Sequence, residues 1–216
     1  MLAAALRKAL AIALALALGG VALETFAAPD VDDPALRTQI TKLDNGLTVL
    51  LLPDPATPGV SFQMWVRAGS KDEAGYTGLA HLFEHMMFRG TDRLPPESHE
   101  RMIEGRGGRV NAYTTADTTV YFEDIAPDSL PLVIELEAER LANLKITEET
   151  LASERQVVLE ERRLRTEDNP GSALYEIAAS VAYTIHPYRR PVVGWMEDIQ
   201  SLTRQDLVDF YKLYYA

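Results

Sequence analysis

The sequence predicts an α+β fold in which helices pack on an antiparallel or mixed sheet. Strand-like segments with period-two alternation concentrate before residue 126, and two of the turns between them are typical of hairpins. Most of the long helical segments follow after residue 128. This partial segregation of strands and helices along the chain is typical of α+β proteins.

The strands are recognised by alternation and by the turns between them. Asn45-Gly46 supplies the positive φ angles that a tight hairpin turn needs, and Ala116-Asp117 lies between two further strand-like segments. Residues 59–67 alternate apolar and polar side chains, which predicts a half-buried strand. The predicted strands cover residues 38–43, 47–52, 59–67, 109–115 and 118–125.

The helices are recognised by their capping residues and their apolar content. Residues 79–88 are too apolar for a loop and contain no internal glycine or proline. A charged helix that begins near Thr147 is expected to stop at Asn169-Pro170-Gly171. The predicted helices run over residues 79–88, from Ser98 to near Gly105, from Asp128 onward, over about 147–168, near 172–183, and from Thr203 to Tyr215.

The composition excludes several classes of function. The chain has 216 residues, 47% of them apolar, which supports one large domain or two small ones. It contains no cysteine, so disulfides and a thiol nucleophile are excluded, and any metal must bind to histidine and carboxylate. The net charge of −11 argues against nucleic acid or an anionic membrane as a partner, because both would repel the chain.

Residues 1–28 are typical of a secretory signal peptide. Arg7 and Lys8 precede an unbroken apolar run over residues 9–18, and small residues follow. A run this short favours removal over retention as an anchor. We therefore expect a periplasmic or secreted protein with no stable membrane span after cleavage. Three cleavage positions remain open, after Ala22, Ala27 or Ala28.

Two of the four histidines lie in the pentad His81-Leu82-Phe83-Glu84-His85. On a helix, positions i and i+4 share a face, so both imidazoles can reach one metal ion at about 2.0–2.1 Å. Glu84 lies beside them, close enough to act as a base on a metal-activated water. The order H-x-x-E-H is the inverzincin pattern. Packing or capping is the alternative role for the histidines, but buried imidazoles on so apolar a helix need partners, which a metal would supply.

A hydrolytic zinc site of this kind needs a third protein ligand, usually a carboxylate. The charged helix offers Glu154, Glu160 and Glu161. Glu154 and Glu161 are seven residues apart and share a face, whereas Glu160 points elsewhere. Because most glutamates on so charged a helix face solvent, spacing alone leaves the choice among them open.

Three motifs together carry a resemblance: residues 78–91 around the histidine pair, residues 107–115 around Asn111-Ala112, and residues 154–161 followed by Asn169-Pro170. In these motifs the chain resembles the N-terminal domain of the pitrilysin (M16) family of zinc metallopeptidases. It is most similar to the branch that contains the mitochondrial processing peptidases and their bacterial, often exported, relatives.

The resemblance implies a role for each candidate residue. The zinc ligands that it implies are His81, His85 and Glu161, and Glu84 is implied to be the general base. Glu154 is implied to orient one of the histidines.

The resemblance also implies that the strand around Asn111 and Ala112 pairs with an extended substrate, although an ordinary edge strand is the alternative.

The resemblance spans about residues 38–216, the expected peptidase domain, which follows a polar linker at residues 29–37. It implies a homologous second half or subunit that contributes substrate-binding groups, and a domain truncated at its C-terminal end. For the apolar face of the last helix, core packing and contact with another surface are both open. That face comprises Leu207, Phe210, Tyr211, Tyr214 and Tyr215.

The predicted function is a zinc-dependent endopeptidase that hydrolyses peptides or unfolded proteins. A non-catalytic partner subunit with the same fold is one alternative, but it has no need to keep His81, Glu84 and His85 intact. A metal-storage or structural zinc protein is another, but it has no use for a base such as Glu84 beside the metal.

Overall fold

The computed structural model describes residues 37–216, so the predicted signal peptide and nearly all of the linker lie outside the described residues. The chain divides into two compact units at residue 56. Within residues 37–216, no helix combines the length and the hydropathy that crossing a bilayer requires.

The first unit contains the predicted hairpin. Strands β1 (Gln39–Lys42) and β2 (Thr48–Leu51) pair antiparallel, with Gln39 opposite Leu51. Gly46 has a φ of 91° in the turn, a left-handed conformation that glycine adopts without a steric penalty. The side chain of Asn45 accepts a hydrogen bond from the backbone N–H of Leu47 at 3.1 Å. The Asn-Gly signal is therefore confirmed as a hairpin turn.

The second unit is built on an antiparallel sheet with the strand order β3-β5-β4. Its strands are β3 (Val60–Val66), β4 (Arg109–Thr114) and β5 (Thr119–Ile125). The central strand β5 is almost entirely buried, whereas β4 alternates between exposed and half-buried side chains. Within this sheet β4 is an edge strand, so one row of its backbone groups is free of strand partners.

The helices at Leu79–Met86, Ser98–Glu104 and Leu130–Asn143 contact this sheet, and the predicted α+β class with antiparallel pairing is confirmed. A π-helical segment, Arg163–Glu167, continues the charged helix, and short 3₁₀ segments lie at Ser70–Asp72, Pro127–Ser129 and Pro187–Arg189. The α-helices are α1 (Leu79–Met86), α2 (Ser98–Glu104), α3 (Leu130–Asn143), α4 (Glu148–Arg162), α5 (Pro170–Ala182), α6 (Met196–Ser201) and α7 (Arg204–Tyr214).

Two expected boundaries are wrong for local reasons. Glu97, with a φ of 62°, is the residue that caps α2, and Ser98 is already helical. Pro170 was expected to end the preceding helix, but it is the first residue of α5. Proline is tolerated in this first turn because the first N–H groups of a helix have no partner within the helix. The side chain of Asn169 caps that turn by accepting from the N–H groups of Gly171 and Ser172.

Helix α1 lies at the centre of the second unit and contacts β4, β5, α4 and α7. Its apolar side chains, among them Leu82, Phe83 and Met86, are fully buried. The ring of Phe83 lies 4.6 Å from that of Tyr215 and 5.6 Å from that of Phe210, measured between centroids. The aromatic face of the last helix is therefore packed in the core of this unit.

Candidate metal centre

The N-terminus of α1 is held by buried polar groups. The carboxylate of Glu73 accepts hydrogen bonds from the backbone N–H groups of Gly78 at 3.1 Å and Ala80 at 2.9 Å. Gly78 has a φ of 86°, and a Cβ atom there would lie 2.6 Å from the carbonyl oxygen of Val193. Glycine is required here both for the left-handed backbone and for this close approach. The first turn of α1 is thereby fixed, and with it the direction of the histidines.

His81 and His85 project from one face of α1 towards Glu161 on α4. His81 Nε2 lies 3.6 Å from Glu161 Oε1, and His85 Nε2 lies 3.3 Å from Glu161 Oε2. One ligand atom from each residue lies within 4.8 Å of the others. Glu160 points away, because its side chain is 61% exposed and pairs with Arg163. Of the glutamates that spacing left open, Glu161 is therefore the one beside both histidines.

These distances suit a zinc ion. Two ligands at about 2.0–2.1 Å in tetrahedral geometry are about 3.3–3.4 Å apart, close to the separations of Glu161 from the two imidazoles. The donor set, two imidazoles and one carboxylate, is that of a catalytic zinc site with a position left for water. A guanidinium is also present, since Arg165 pairs with Glu161 Oε1 at 2.5 Å from a side chain that is 76% exposed.

Glu154 lies behind the histidines. Its side chain is 1% exposed, and its Oε2 lies 3.3 Å from Nδ1 of His85. On the other side, Arg89 Nε lies 2.7 Å from Glu154 Oε1. A carboxylate at Nδ1 keeps the proton of a neutral imidazole on that nitrogen and leaves the lone pair of Nε2 for a metal.

The two imidazoles differ in proton affinity. Burial, together with the nearby charge of His85, lowers the pKa of His81 to about 4. Burial would also lower the pKa of His85, but hydrogen bonds to Glu154 and Glu161 raise it to about 9. At neutral pH, His81 therefore offers a lone pair, whereas His85 must release a proton to bind a metal.

Glu84 lies next to this cluster and is 9% exposed. Burial raises the pKa of its carboxyl group above the ordinary value, and a hydrogen bond from Thr114 opposes that shift. Thr114 Oγ1 donates to Glu84 Oε2 at 2.5 Å. Thr114 could not be predicted from the sequence, because no spacing rule connects it to a helix residue 30 positions away.

The cluster opens into a cleft of about 1030 Å³. Strand β4, with Asn111 and Ala112, forms one wall, and α5 with residues 188–193 forms another. The N–H of Thr115 donates to the carbonyl of Thr118, and from this pair the antiparallel pattern places the outward backbone groups at residues 110, 112 and 114. In this structure the outward N–H of Ala112 is held by the side chain of Asn111 at 2.9 Å.

A second group of potential metal ligands, His99, Glu123 and Glu137, is buried elsewhere in this unit. Arg140 lies among them: its Nε donates to Glu137 Oε2 at 3.1 Å and its Nη2 to Glu123 Oε1 at 3.4 Å. The guanidinium also lies over the ring of Phe88, 5.0 Å from its centroid. Because Arg140 already supplies the positive charge that a metal would bring, this group is a buried ion network.

An α+β domain whose inverted histidine motif faces a glutamate on a neighbouring helix has the architecture of the inverzincin class. Residues 48–194 match the model of the insulinase family, peptidase family M16. The chain therefore belongs to family M16, and the resemblance seen in its motifs is confirmed.

Curated relatives match most of this chain but only part of their own length. Zinc protease PqqE of Helicobacter pylori is 37% identical over 175 residues, which is 80% of this chain and 39% of the relative. The mitochondrial-processing peptidase subunit beta of Neurospora crassa is 34% identical over 182 residues, 84% of this chain and 38% of the relative. The chain thus spans about two fifths of the length of these proteins.

Solved structures likewise match most of this chain but less than half of their own length. A protease from Helicobacter pylori superposes with a TM-score of 0.80 at 36% identity, covering 82% of this chain and 43% of that structure. The first half of the periplasmic protease PqqL from Escherichia coli superposes with a TM-score of 0.75 at 26% identity, covering 83% of this chain and 40% of that structure.

Proposed function

We propose that this chain is the zinc-binding, catalytic half of a metalloendopeptidase. The observation that carries the proposal is the convergence of His81, His85 and Glu161, whose ligand atoms lie within 4.8 Å of one another beside the buried carboxylate of Glu84. Structural or storage zinc sites do not need that carboxylate, and a non-catalytic subunit does not need the complete set.

His81, His85 and Glu161 would hold the zinc ion, with Glu154 orienting His85 through Nδ1. Zinc, when bound, supplies a Lewis acid that acidifies water and stabilises negative charge on the carbonyl oxygen. Glu84 takes the proton of the attacking water and delivers it to the leaving amine. Burial raises the pKa of Glu84, and a more basic carboxylate is a better acceptor for the proton of the attacking water.

The substrate would be an extended peptide or an unfolded protein that adds a strand to β4. Support comes from the position of β4 at the edge of the sheet and in the wall of the cleft. Asn111 and Ala112 lie in the middle of this edge, where the outward backbone groups of Ala112 would bond to the peptide. The Asn111 side chain must then release the N–H of Ala112.

The complete enzyme would include a homologous second half or subunit. This is supported by the share of its relatives that the chain spans and by the neighbour described as the first half of a periplasmic protease. A periplasmic or secreted location would suit the signal peptide predicted at residues 1–28, and the periplasmic neighbour supports it. The peptidase domain over residues 38–216 would follow a linker at residues 29–37.

The test is hydrolysis of an unstructured peptide by full-length, zinc-loaded protein. We expect cleavage that a chelator abolishes and added zinc restores. Glu84→Gln keeps the shape of the side chain and should abolish cleavage while leaving bound zinc at about one per chain, because the base is lost but the ligands remain. Full activity in Glu84→Gln, or cleavage that survives complete removal of zinc, would contradict the proposal.

A further inference from the structure

The hydroxyl group of Thr114 is hydrogen-bonded to the carboxylate of Glu84. Its Oγ1 lies 2.5 Å from Glu84 Oε2, and Glu84 is 9% exposed. In the part of the chain that the structure describes, no other group hydrogen-bonds to this carboxylate. Among the described residues, Thr114 is therefore the one hydrogen-bonding partner of this nearly buried carboxylate.

The sheet explains why the hydroxyl is available. Thr114 lies at the end of β4 opposite Thr119 of β5, and its side chain is on the half-buried face of the strand. Thr119 Oγ1 donates to the carbonyl oxygen of Ala68 at 3.0 Å and lies 3.5 Å from Thr114 Oγ1. Because an ionised carboxylate can only accept, Thr114 is the donor to it, and Thr119, whose proton is engaged with Ala68, does not compete as a donor to Thr114.

We infer that Thr114 is a positioning residue for Glu84: it binds Oε2 and leaves Oε1 to receive the proton of the attacking water. The inference deepens the proposed function and rests on it. A threonine on a paired strand is a rigid support, since its χ1 is restricted and its neighbours in sequence are paired: Tyr113 lies opposite Val120 of β5, and the N–H of Thr115 donates to the carbonyl of Thr118. A reacting group displaced by about 1 Å can lose about 10²-fold in rate, so one lost hydrogen bond at the base is sufficient for a large effect.

The experiment compares Thr114→Val with Thr114→Ser in full-length, zinc-loaded protein hydrolysing the same peptide. Valine keeps the branched shape and the preference for a strand but has no hydroxyl. We expect Thr114→Val to lower kcat by at least about tenfold while KM and bound zinc stay unchanged, and Thr114→Ser to keep most of the activity. Thr118→Val is the matched control, because that hydroxyl contacts Thr115 at 3.2 Å and not Glu84.

The outcomes are separable from those of the proposed function when Glu84→Gln is assayed beside these variants. If Glu84→Gln abolishes cleavage but Thr114→Val keeps more than half of kcat, or raises only KM, the inference about Thr114 is wrong and the proposed function stands. Equal losses in the serine and valine variants also overturn it. Should Thr114→Val fail to fold, Thr114→Ala replaces it, and the inference then requires an active serine variant beside an inactive alanine variant.

Discussion

Glu161 and its neighbour Glu160 form a natural pair for testing the metal centre. The side chain of Glu161 is 14% exposed and lies against both histidines, whereas that of Glu160 is 61% exposed and pairs with Arg163. We expect Glu161→Gln to lose bound zinc, because two histidines alone hold a catalytic zinc poorly. Glu160→Gln should retain it. The measurement is zinc per chain after dialysis, and release of zinc only from Glu160→Gln would show that the wrong glutamate is assigned.

Glu154 is expected to act on the metal through His85. Glu154→Gln removes the negative charge next to Nδ1 but keeps the size of the side chain, so zinc affinity should fall by about 10–100-fold. Competition with a chelator of known affinity measures the change. Glu149→Gln, an exposed position on the same helix, is the control. If Glu154→Gln leaves the zinc affinity unchanged, Glu154 does not act on the metal through His85, and its role is limited to the ion pair with Arg89.

Single residues were predictable from the sequence where the chemistry is local. His81, Glu84 and His85 share one helical turn, so spacing alone brings them together. Glu161 needed the family resemblance, because the angle between α1 and α4 is a property of the folded core. Thr114 received no role, although it lies in one of the quoted motifs, because its contact with Glu84 depends on the packing of β4 against α1.

At the scale of elements, alternation and turn chemistry predict the sheet well. Both hairpins form where Asn45-Gly46 and Ala116-Asp117 indicate, since their registers depend on residues close in sequence. Helix α6 was not predicted, because six residues carry too little periodicity to be distinguished from a loop. Its position depends on distant contacts, such as the hydrogen bonds from the N–H and the hydroxyl of Thr77 to Asp198.

The buried ion network of His99, Glu123, Glu137 and Arg140 joins α3 to β5. Of these four side chains only Arg140 is positively charged, because His99 is neutral. Burial and the charge of Arg140 lower the pKa of His99 to about 4. Arg140→Met would leave Glu123 and Glu137 buried without their partner, which should lower the free energy of unfolding by about 3–5 kcal/mol. Chemical denaturation measures this change.

Arg101→Met is the matched control for that variant. Arg101 of α2 pairs with Glu97, the residue that caps this helix, and both side chains are 60% exposed. Exposed ion pairs contribute little to stability. A loss of stability in Arg140→Met no larger than in Arg101→Met would mean that solvent reaches the network and replaces the missing cation.

At the scale of the whole molecule, the cleft is lined by α1 and α4 at the metal centre, by β4 on one side, and by α5 with residues 188–193 on another. Among the described residues, a peptide paired with β4 would find strand hydrogen bonds along one of its edges, because β4 is the only strand in the lining of the cleft. Open sites weaken electrostatic catalysis, because water screens the charges that stabilise the transition state. The aromatic face of α7 is not available to a second half as a docking surface, since Phe210 and Tyr215 are 4% and 7% exposed in the core.

We expect residues 29–216 to be incomplete as a catalyst although complete as a zinc-binding unit. Residues 29–216 alone should bind about one zinc ion, because the implied ligands all lie within this chain, but should cleave peptides far more slowly than the same residues joined to a homologous second half. The measurement is peptide turnover by the zinc-loaded fragment, with the second half absent, fused to it, or added as a separate subunit. Glu84→Gln in each sample separates turnover at this centre from contaminating activity. Equal and robust turnover without the second half would show that one half closes its own cleft, and that the share of the relatives' length spanned here says nothing about catalysis.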